Sequence, residues 1–217
     1  RDMIKWDNNS FHISITDDNR NEYEVGYSDE EEKIKKKIKL NGNRIARASD
    51  FYSRLLTVFF GPDDLVLIKG TPEIKRRYVD SVIAKMRPDY IKLLGDFKKI
   101  LISRNSIIKE IKENKRNESC LDIWDEMFSE KSSMIIKKRE EICSVFSFHF
   151  RQSYERISGM REIPDFIYRP NISNTDKKEL LVSLRKSRKK DIIKGNTLIG
   201  PHRDNFVFSK DGKDISE

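Results

Sequence analysis

The chain has 217 residues and a formal net charge of +8, with 37% charged and 36% hydrophobic residues. No apolar run approaches the roughly 18 residues that a membrane span requires, and the two cysteines form no metal-binding pattern. The basic charge favours an anionic partner, most often nucleic acid. Cys120 and Cys143 each lie beside apolar residues, as expected of buried thiols in a reducing compartment, so we expect a cytoplasmic protein with no membrane partner.

Residues 3–60 carry the alternation of apolar and polar side chains that is typical of antiparallel strands with one buried face. The alternation is clear at residues 11–15, 23–27 and 34–40. Asn41-Gly42 predicts a hairpin turn between strands, because a two-residue type I′ turn needs positive φ at both central positions.

The pattern then changes from strands to helices. After a short helix predicted at residues 49–54, the apolar run at residues 55–60 predicts a strand that is buried on both faces. Thr71 and Pro72 predict a helix start, because a capping hydroxyl and a proline at the first position both favour one. Pro88 begins a long helix whose apolar residues recur every three or four positions.

Polar residues 114–117 interrupt this helical pattern. We expect one helix to begin near Ser119, and another to begin at Ser132 and to end near Gly159. The apolar stripes of these helices predict a helical hairpin or a small bundle.

The last part of the chain mixes both kinds of element. Residues 163–169 are predicted to be extended, and residues 175–193 to form an amphipathic helix. Strands are predicted at residues 197–199 and 206–208, and Asp211-Gly212 predicts a second hairpin turn.

Basic side chains form two clusters whose charge suits phosphate groups. Such clusters neutralise phosphates without reading base sequence, although a solvated strand or helix face has the same composition. The first cluster lies on one face of a predicted strand and the second lies on the predicted last helix: Lys35, Lys37 and Lys39, and Arg185, Lys186, Arg188, Lys189 and Lys190.

Two short segments carry more specific chemistry than these clusters. In the first, a predicted buried strand is followed by two acids, and the next helix bears paired arginines: Asp63, Asp64, Arg76 and Arg77. The second is a Gly-Pro-His-Arg-Asp loop between two predicted strands, which contains His202, Arg203 and Asp204.

Each of these residues also has a purely structural interpretation. The two acids are suited to cap a helix. The paired arginines are suited to form ion pairs with Glu73 or Asp80 on their own helix. The histidine, arginine and aspartate of the loop are suited to hold a structural corner.

In this order, the segments resemble the RecF family of bacterial DNA replication and repair proteins, whose ATPase head belongs to the SMC-like branch of the ABC ATPases. Family members share a Phe-x-Pro-acid-Asp-Leu junction, a Gly-x-Pro-x-x-Arg-Arg helix start and a Gly-Pro-His-Arg-Asp loop, and all three occur here. Residues 103–106 and 124–126 also match the middle of the family. The resemblance covers essentially the whole chain.

The resemblance implies an α+β fold, in which an antiparallel β lobe of the ATPase head carries an inserted helical domain. Residues 1–70 would form the β-rich part of the head, residues 71–195 the helical insertion, and residues 196–217 the strands that return to the head. The family's Walker A motif would precede this segment, and its signature and Walker B motifs would follow it. The segment alone would then neither bind ATP tightly nor hydrolyse it.

The resemblance also implies a function for the whole protein. It would be a weak ATPase that uses ATP and Mg²⁺, forms an ATP-dependent homodimer, and binds DNA at single-strand gaps and at junctions of single- and double-stranded DNA. There it would promote recombinase loading in DNA repair together with the RecR and RecO proteins. By position, Asp63 and Asp64 are similar to the Q-loop junction of ABC ATPases, although the family usually has glutamate at position 63 and a different small residue at position 61.

Two other functions remain open on the sequence. One is a non-enzymatic helical module of another SMC-like protein, which would bind only a partner protein. The other is a free-standing basic DNA-binding domain. A Walker A motif upstream and a Walker B motif downstream in the gene would favour the ATPase.

Overall fold

The computed structural model describes residues 3–30, 33–46, 51, 54, 61–159, 162–172 and 175–215, with the backbone alone at residues 30, 33, 34, 62 and 63. The chain divides into two compact units, Arg1–Phe59 and Phe60–Glu217. Each unit has its own hydrophobic core.

The first unit contains a four-stranded antiparallel meander. Its strands are β1 (Ser10–Thr16), β2 (Glu22–Glu30), β3 (Lys33–Leu40) and β4 (Asn43–Arg44), in that order. Ile13 lies opposite Val25, and Val25 lies opposite Ile38, so the alternating apolar residues share one face.

The hairpin turn between β3 and β4 confirms its prediction. Asn41 and Gly42 both have positive φ, 49° and 76°, as a type I′ turn requires. The strand predicted at residues 55–60 and most of the helix predicted at residues 49–54 lie outside the described residues.

The second unit is mostly helical. Its helices are α1 (Val66–Lys69), α2 (Pro72–Met86), α3 (Asp89–Lys112), α4 (Asp122–Ser158) and α5 (Lys177–Lys194). Helix α2 begins where Thr71 and Pro72 predict, although the Thr71 side chain makes no capping hydrogen bond. Helix α5 is capped by Asp176, whose carboxylate accepts a hydrogen bond from the Lys178 N–H, and it ends at Gly195 in the left-handed conformation.

Helix α4 corrects one prediction, because Ser132 does not begin a separate helix. Residues 122–158 form one continuous helix of 37 residues, and Ser119 lies in a short 3₁₀ helix before it. The Ser132 side chain faces the interior of the unit: its hydroxyl is fully buried and has no hydrogen-bond partner among the described residues, so it caps no helix end. Its neighbours in the helix do find partners, since the Ser129 hydroxyl donates to the Glu126 carbonyl and the Ser133 hydroxyl donates to the Thr175 carbonyl.

A second antiparallel sheet contains β5 (Pro164–Arg169), β6 (Asn205–Lys210) and β7 (Lys213–Asp214), in that order. The hairpin at Asp211 and Gly212 confirms its prediction, with φ values of 50° and 76°. The strand predicted at residues 197–199 is wrong. The backbone N–H of Thr197 donates to the side chain of Asn105, and that of Leu198 donates to Asp191, so neither pairs with a strand.

The core of the second unit lies where helices α2 to α5 meet the second sheet. Aromatic rings dominate the sheet side of this core, where Phe166 lies 4.7 Å from Phe208 and 4.9 Å from Phe146 between ring centroids. The predicted division of the chain into three parts stays a prediction. Strand β5 lies within the predicted helical insertion and pairs with β6, which lies in the segment predicted to return to the head. No helix in the described part of the chain is long and apolar enough to cross a membrane.

Candidate functional site

The Gly-Pro-His-Arg-Asp loop lies between α5 and β6, and its backbone depends on glycine at position 200. Gly200 has a φ of 127°, and a Cβ atom added there would lie 2.7 Å from Cζ of Phe128. The loop then turns through a short 3₁₀ helix, Pro201–Arg203, and enters β6. Glycine thus lets the loop pass directly against α4.

Asp204, at the end of this loop, is fully buried and is held by three elements of the fold. Its carboxylate accepts hydrogen bonds from Nη1 of Arg139 at 2.9 Å, from the Asn171 N–H at 2.8 Å and from the Tyr168 hydroxyl. Its carbonyl accepts a hydrogen bond from Nη1 of Arg76 at 2.6 Å. These contacts support the interpretation of Asp204 as part of a structural corner.

Arg139 of α4 joins this loop to α2. Its Nε and Nη2 atoms donate to the two carboxylate oxygens of Asp80 at 3.0 and 2.9 Å, and its Nη1 also donates to the Pro201 carbonyl at 2.7 Å. Burial disfavours the charged guanidinium, but Asp80 and Asp204 together raise the pKa of Arg139. A paired and hydrogen-bonded arginine is tolerated at such a buried position.

Arg104 of α3 forms a second buried network, which reaches Thr197 in the segment before the loop. Its Nε donates to Asp125 at 2.7 Å, and its Nη1 donates to Asp191 at 2.9 Å and to the Thr197 hydroxyl at 2.7 Å. Asp125 also accepts a hydrogen bond from Arg188 at 2.7 Å. This network joins α3, α4 and α5 to the segment before the loop.

His202 connects the loop to the second network. Its Nε2–H donates to the Thr197 carbonyl at 3.0 Å, and its ring lies within about 6 Å of the rings of Phe97 and Phe128. Burial, with smaller effects from nearby arginines, lowers the pKa of His202 to about 4. The imidazole is therefore neutral at physiological pH.

The paired arginines of α2 differ from each other. Arg76 is half-buried and bonds the loop at Asp204, and burial together with the nearby Arg139 lowers its pKa. Arg77 is exposed. The predicted ion-pair partner Asp80 binds Arg139 and the Tyr90 hydroxyl instead.

Two other predicted site residues lie at the surface, and a third is described only in part. Arg203 is exposed, and its Nη2 approaches Asn196 at 3.4 Å. Asp64 is exposed, and its carboxylate accepts a hydrogen bond from the Gly61 N–H at 2.6 Å, which supports the capping interpretation. The prediction for the Asp63 side chain lies outside the described residues. The loop and the Arg76 end of α2 thus come together, whereas Asp64 is not joined to them by any described contact.

The two basic clusters also differ. Lys37 on β3 is exposed, whereas Lys39 forms a 3.2 Å ion pair with Glu24. Lys35 is exposed and also takes part in an interaction within the chain.

On α5, Lys186, Lys189 and Lys190 are exposed, and Arg185 lies 3.9 Å from Glu126. The prediction that Arg188 belongs to a phosphate-binding cluster is wrong. Arg188 is buried between Asp122 and Asp125, at 2.6 and 2.7 Å, because it faces α4 rather than solvent. A guanidinium held in this way is not free to bind DNA.

Sequence reasoning missed the buried roles of Arg104 and Arg139. A signal was present, because each arginine occupies a position where the apolar stripe of its helix expects a hydrophobic residue. Ile100 and Ile108 flank Arg104 at four-residue spacing. In the described part of the chain, no group of three histidine, cysteine, aspartate or glutamate residues is placed to bind a metal ion.

The chain is similar in sequence to known proteins over nearly its whole length. No protein-family model matches the chain. The chain is 34% identical over 211 residues to the DNA replication and repair protein RecF of Clostridium botulinum (strain ATCC 19397 / Type A), covering 96% of this chain and 57% of that protein. It is 30% identical over 218 residues to RecF of Leptospira interrogans serovar Lai (strain 56601), covering 99% of this chain and 58% of that protein.

Its fold matches a solved structure of the recombination mediator protein RecF with ATP in the RecFOR pathway. The TM-score is 0.82 at 28% identity, and the match covers 99% of this chain and 59% of the solved one. The chain is homologous to the RecF proteins. This finding confirms the resemblance to RecF and the α+β, ABC-type fold class. The chain spans less than two thirds of the length of these RecF proteins.

Proposed function

We propose that this chain is the central part of a RecF-type DNA repair protein, which binds DNA at single-strand gaps and at single-strand to double-strand junctions and promotes recombinase loading. The observation that carries the proposal is the match to RecF proteins over 96–99% of the chain. The buried networks support a rigid element, because Arg139 joins α4 to α2 and to the loop, and Arg104 joins α3 to α4 and α5.

ATP and Mg²⁺ belong to the whole protein in this proposal. The resemblance to RecF implies that the Walker A, signature and Walker B motifs, which hold the nucleotide, lie outside this segment. We therefore assign to this segment no step of hydrolysis, and we assign weak ATPase activity and ATP-dependent dimerisation to the full-length protein.

We assign the DNA contact on this segment to the exposed side of α5. Lys186, Lys189 and Lys190 are exposed, and none of them pairs with a described acid. The β3 cluster suits this role less well, because Glu24 already compensates the charge of Lys39. Exposed lysines of this kind bind phosphates and release counterions, which makes binding dependent on salt.

RecR and RecO are the proposed protein partners, and the cytoplasm is the proposed location. The partner proposal is supported by the homology, because the solved relative is named as a recombination mediator protein in the RecFOR pathway.

A binding experiment on the full-length protein tests this function. Fluorescence anisotropy would compare gapped duplex DNA with blunt duplex of equal length, with and without ATP and Mg²⁺. We expect tighter binding to gapped DNA and a further gain with ATP. Equal affinity for both DNAs, or no effect of ATP on either, would contradict the proposal.

A further inference from the structure

The second unit contains a cavity of about 490 Å³ that the proposed function does not use. It lies between α2, α3, α4 and the Gly-Pro-His-Arg-Asp loop. Its volume is within the range of pockets that bind small ligands.

The floor of the cavity is apolar. Leu94 and Leu101 of α3 are partly buried and line it, and the buried Phe97 and Ile135 complete it. An apolar floor at the surface is suited to a hydrophobic side chain from another molecule, because burying that side chain removes apolar area from water on both partners.

The rim of the cavity is cationic. Arg76, Arg77, Lys98 and Arg203 surround the floor, and none of them forms an ion pair with another residue in the described part of the chain. Two acids also line the cavity. Arg139 already binds Asp80, so Glu73 is the remaining acid. The rim therefore has an excess of positive charge and is complementary to an anionic ligand.

Nucleic acid fits these features less well than a peptide. Phosphates would bind the rim but would leave the apolar floor uncovered. A stacked base needs an open aromatic face, and Phe97 is only 6% exposed. An acidic peptide with one large apolar side chain would satisfy both rim and floor.

We propose that this cavity binds an acidic segment of a partner protein, which inserts one large apolar side chain onto the Leu94–Leu101 floor while its carboxylates contact Arg77, Lys98 and Arg203. The site is independent of the proposed DNA-binding function, because it needs neither nucleotide nor DNA. It is also distinct from the exposed lysines of α5.

The test uses the full-length protein and a short fluorescein-labelled peptide of aspartates around a single leucine, without ATP or DNA. Anisotropy should show saturable binding. Replacing the leucine of the peptide by serine should weaken binding, and Lys98→Glu in the protein should weaken it about tenfold, as expected when one charge beside a bound acidic ligand is reversed.

Lys99→Glu is the matched control. Lys99 is the next residue on the same helix and is also exposed, but it does not line the cavity. The control should bind the peptide like the wild type, and both variants should unfold at the wild-type urea concentration because both positions are exposed.

Three results would overturn the proposal. The first is a lack of saturable peptide binding by the wild type, which would also result if another part of the full-length protein covered the cavity. The second is an equal effect of Lys98→Glu and Lys99→Glu. The third is displacement of the peptide by a single-stranded oligonucleotide whose own binding depends on Lys98, which would make the cavity a nucleic-acid site.

Discussion

Two buried arginines on different helices have different surroundings: Arg139 bonds the Gly-Pro-His-Arg-Asp loop, and Arg104 bonds Thr197 in the segment before it. Every nitrogen of the Arg139 guanidinium donates a hydrogen bond, two of them to Asp80. Nη2 of Arg104 is buried and has no partner among the described residues. Each guanidinium nitrogen of Arg139 therefore has a partner, whereas one nitrogen of Arg104 does not.

The two networks also hold different parts of the fold. Arg139 bonds α2 and the loop, which are 59 and 65 residues away in sequence. Arg104 bonds α4 and α5, and Arg188 supports it at Asp125. The comparison indicates that Arg139 positions the loop, while Arg104 fastens the helices to one another.

The largest expected effect is that of Arg139→Met. It removes the only described cation that pairs with both Asp80 and the fully buried Asp204. We expect a loss of about 3–5 kcal/mol in the free energy of unfolding, the usual cost of breaking a buried ion pair from one side. Urea denaturation would measure it. Arg151→Met is the control, because Arg151 is 51% exposed in its pair with Asp165, and such pairs contribute less than about 1 kcal/mol.

Arg104→Met should cost less, about 2–3 kcal/mol. Arg104→Met leaves one carboxylate, Asp191, without a described cation, whereas Arg139→Met leaves two. Asp125 keeps Arg188 as a partner, and the substitution also removes the unsatisfied Nη2. The same urea series compares the two variants. A greater loss for Arg104→Met than for Arg139→Met would reverse the comparison.

The pH dependence of stability tests the part of the fold around Arg104, where His202 donates a hydrogen bond to the Thr197 carbonyl. The pKa of His202 falls from 6.5 to about 4 on folding, so the unfolded chain takes up a proton at a higher pH than the folded one. The contribution of His202 to stability is complete above pH 6.5 and is lost as the pH falls towards 4, by on the order of 3 kcal/mol.

His202→Gln tests this contribution, because the glutamine amide can still donate to the Thr197 carbonyl without titrating. Unfolding would be measured at pH 7.0, 5.5 and 4.5, and the variant should lose less stability than the wild type over this range. Parallel curves for both proteins would show that His202 is not the group responsible.

Gly200→Ala should cost about 1–2 kcal/mol, from the strained φ of 127° and the close approach to Phe128. Gly95→Ala is the matched control, because Gly95 lies within α3 with nothing within 4 Å of an added Cβ. Alanine there should be neutral or stabilise the helix by up to about 1 kcal/mol. Equal thermal midpoints for the two variants would argue against a tight loop at Gly200.

Local signals explain what the sequence could predict. The Asn41-Gly42 and Asp211-Gly212 hairpins, the start of α2 and the end of α4 all depend on residues that are adjacent in sequence. Ser132 failed as a helix start because its role depends on packing inside α4.

The networks could not be predicted in the same way, because each depends on partners that are far apart in sequence. Arg188 illustrates the limit. It lies in a run of basic residues, so composition favoured a DNA-binding surface, and only the fold shows that its side chain faces Asp122 and Asp125. Leu184 and Ile192 flank it at four-residue spacing, which is the same signal that marks Arg104.

The central claim is that buried arginines hold this segment together while the exposed lysines of α5 bind DNA. The most direct test measures gapped-DNA affinity against salt for two forms of the full-length protein, Arg188→Gln and the triple variant Lys186→Gln, Lys189→Gln and Lys190→Gln. We predict that the triple variant binds more weakly and that its salt dependence falls by about 2–3 in slope, whereas Arg188→Gln lowers stability and keeps wild-type affinity. Wild-type binding by the triple variant, together with weak binding by a stably folded Arg188→Gln protein, would contradict the account.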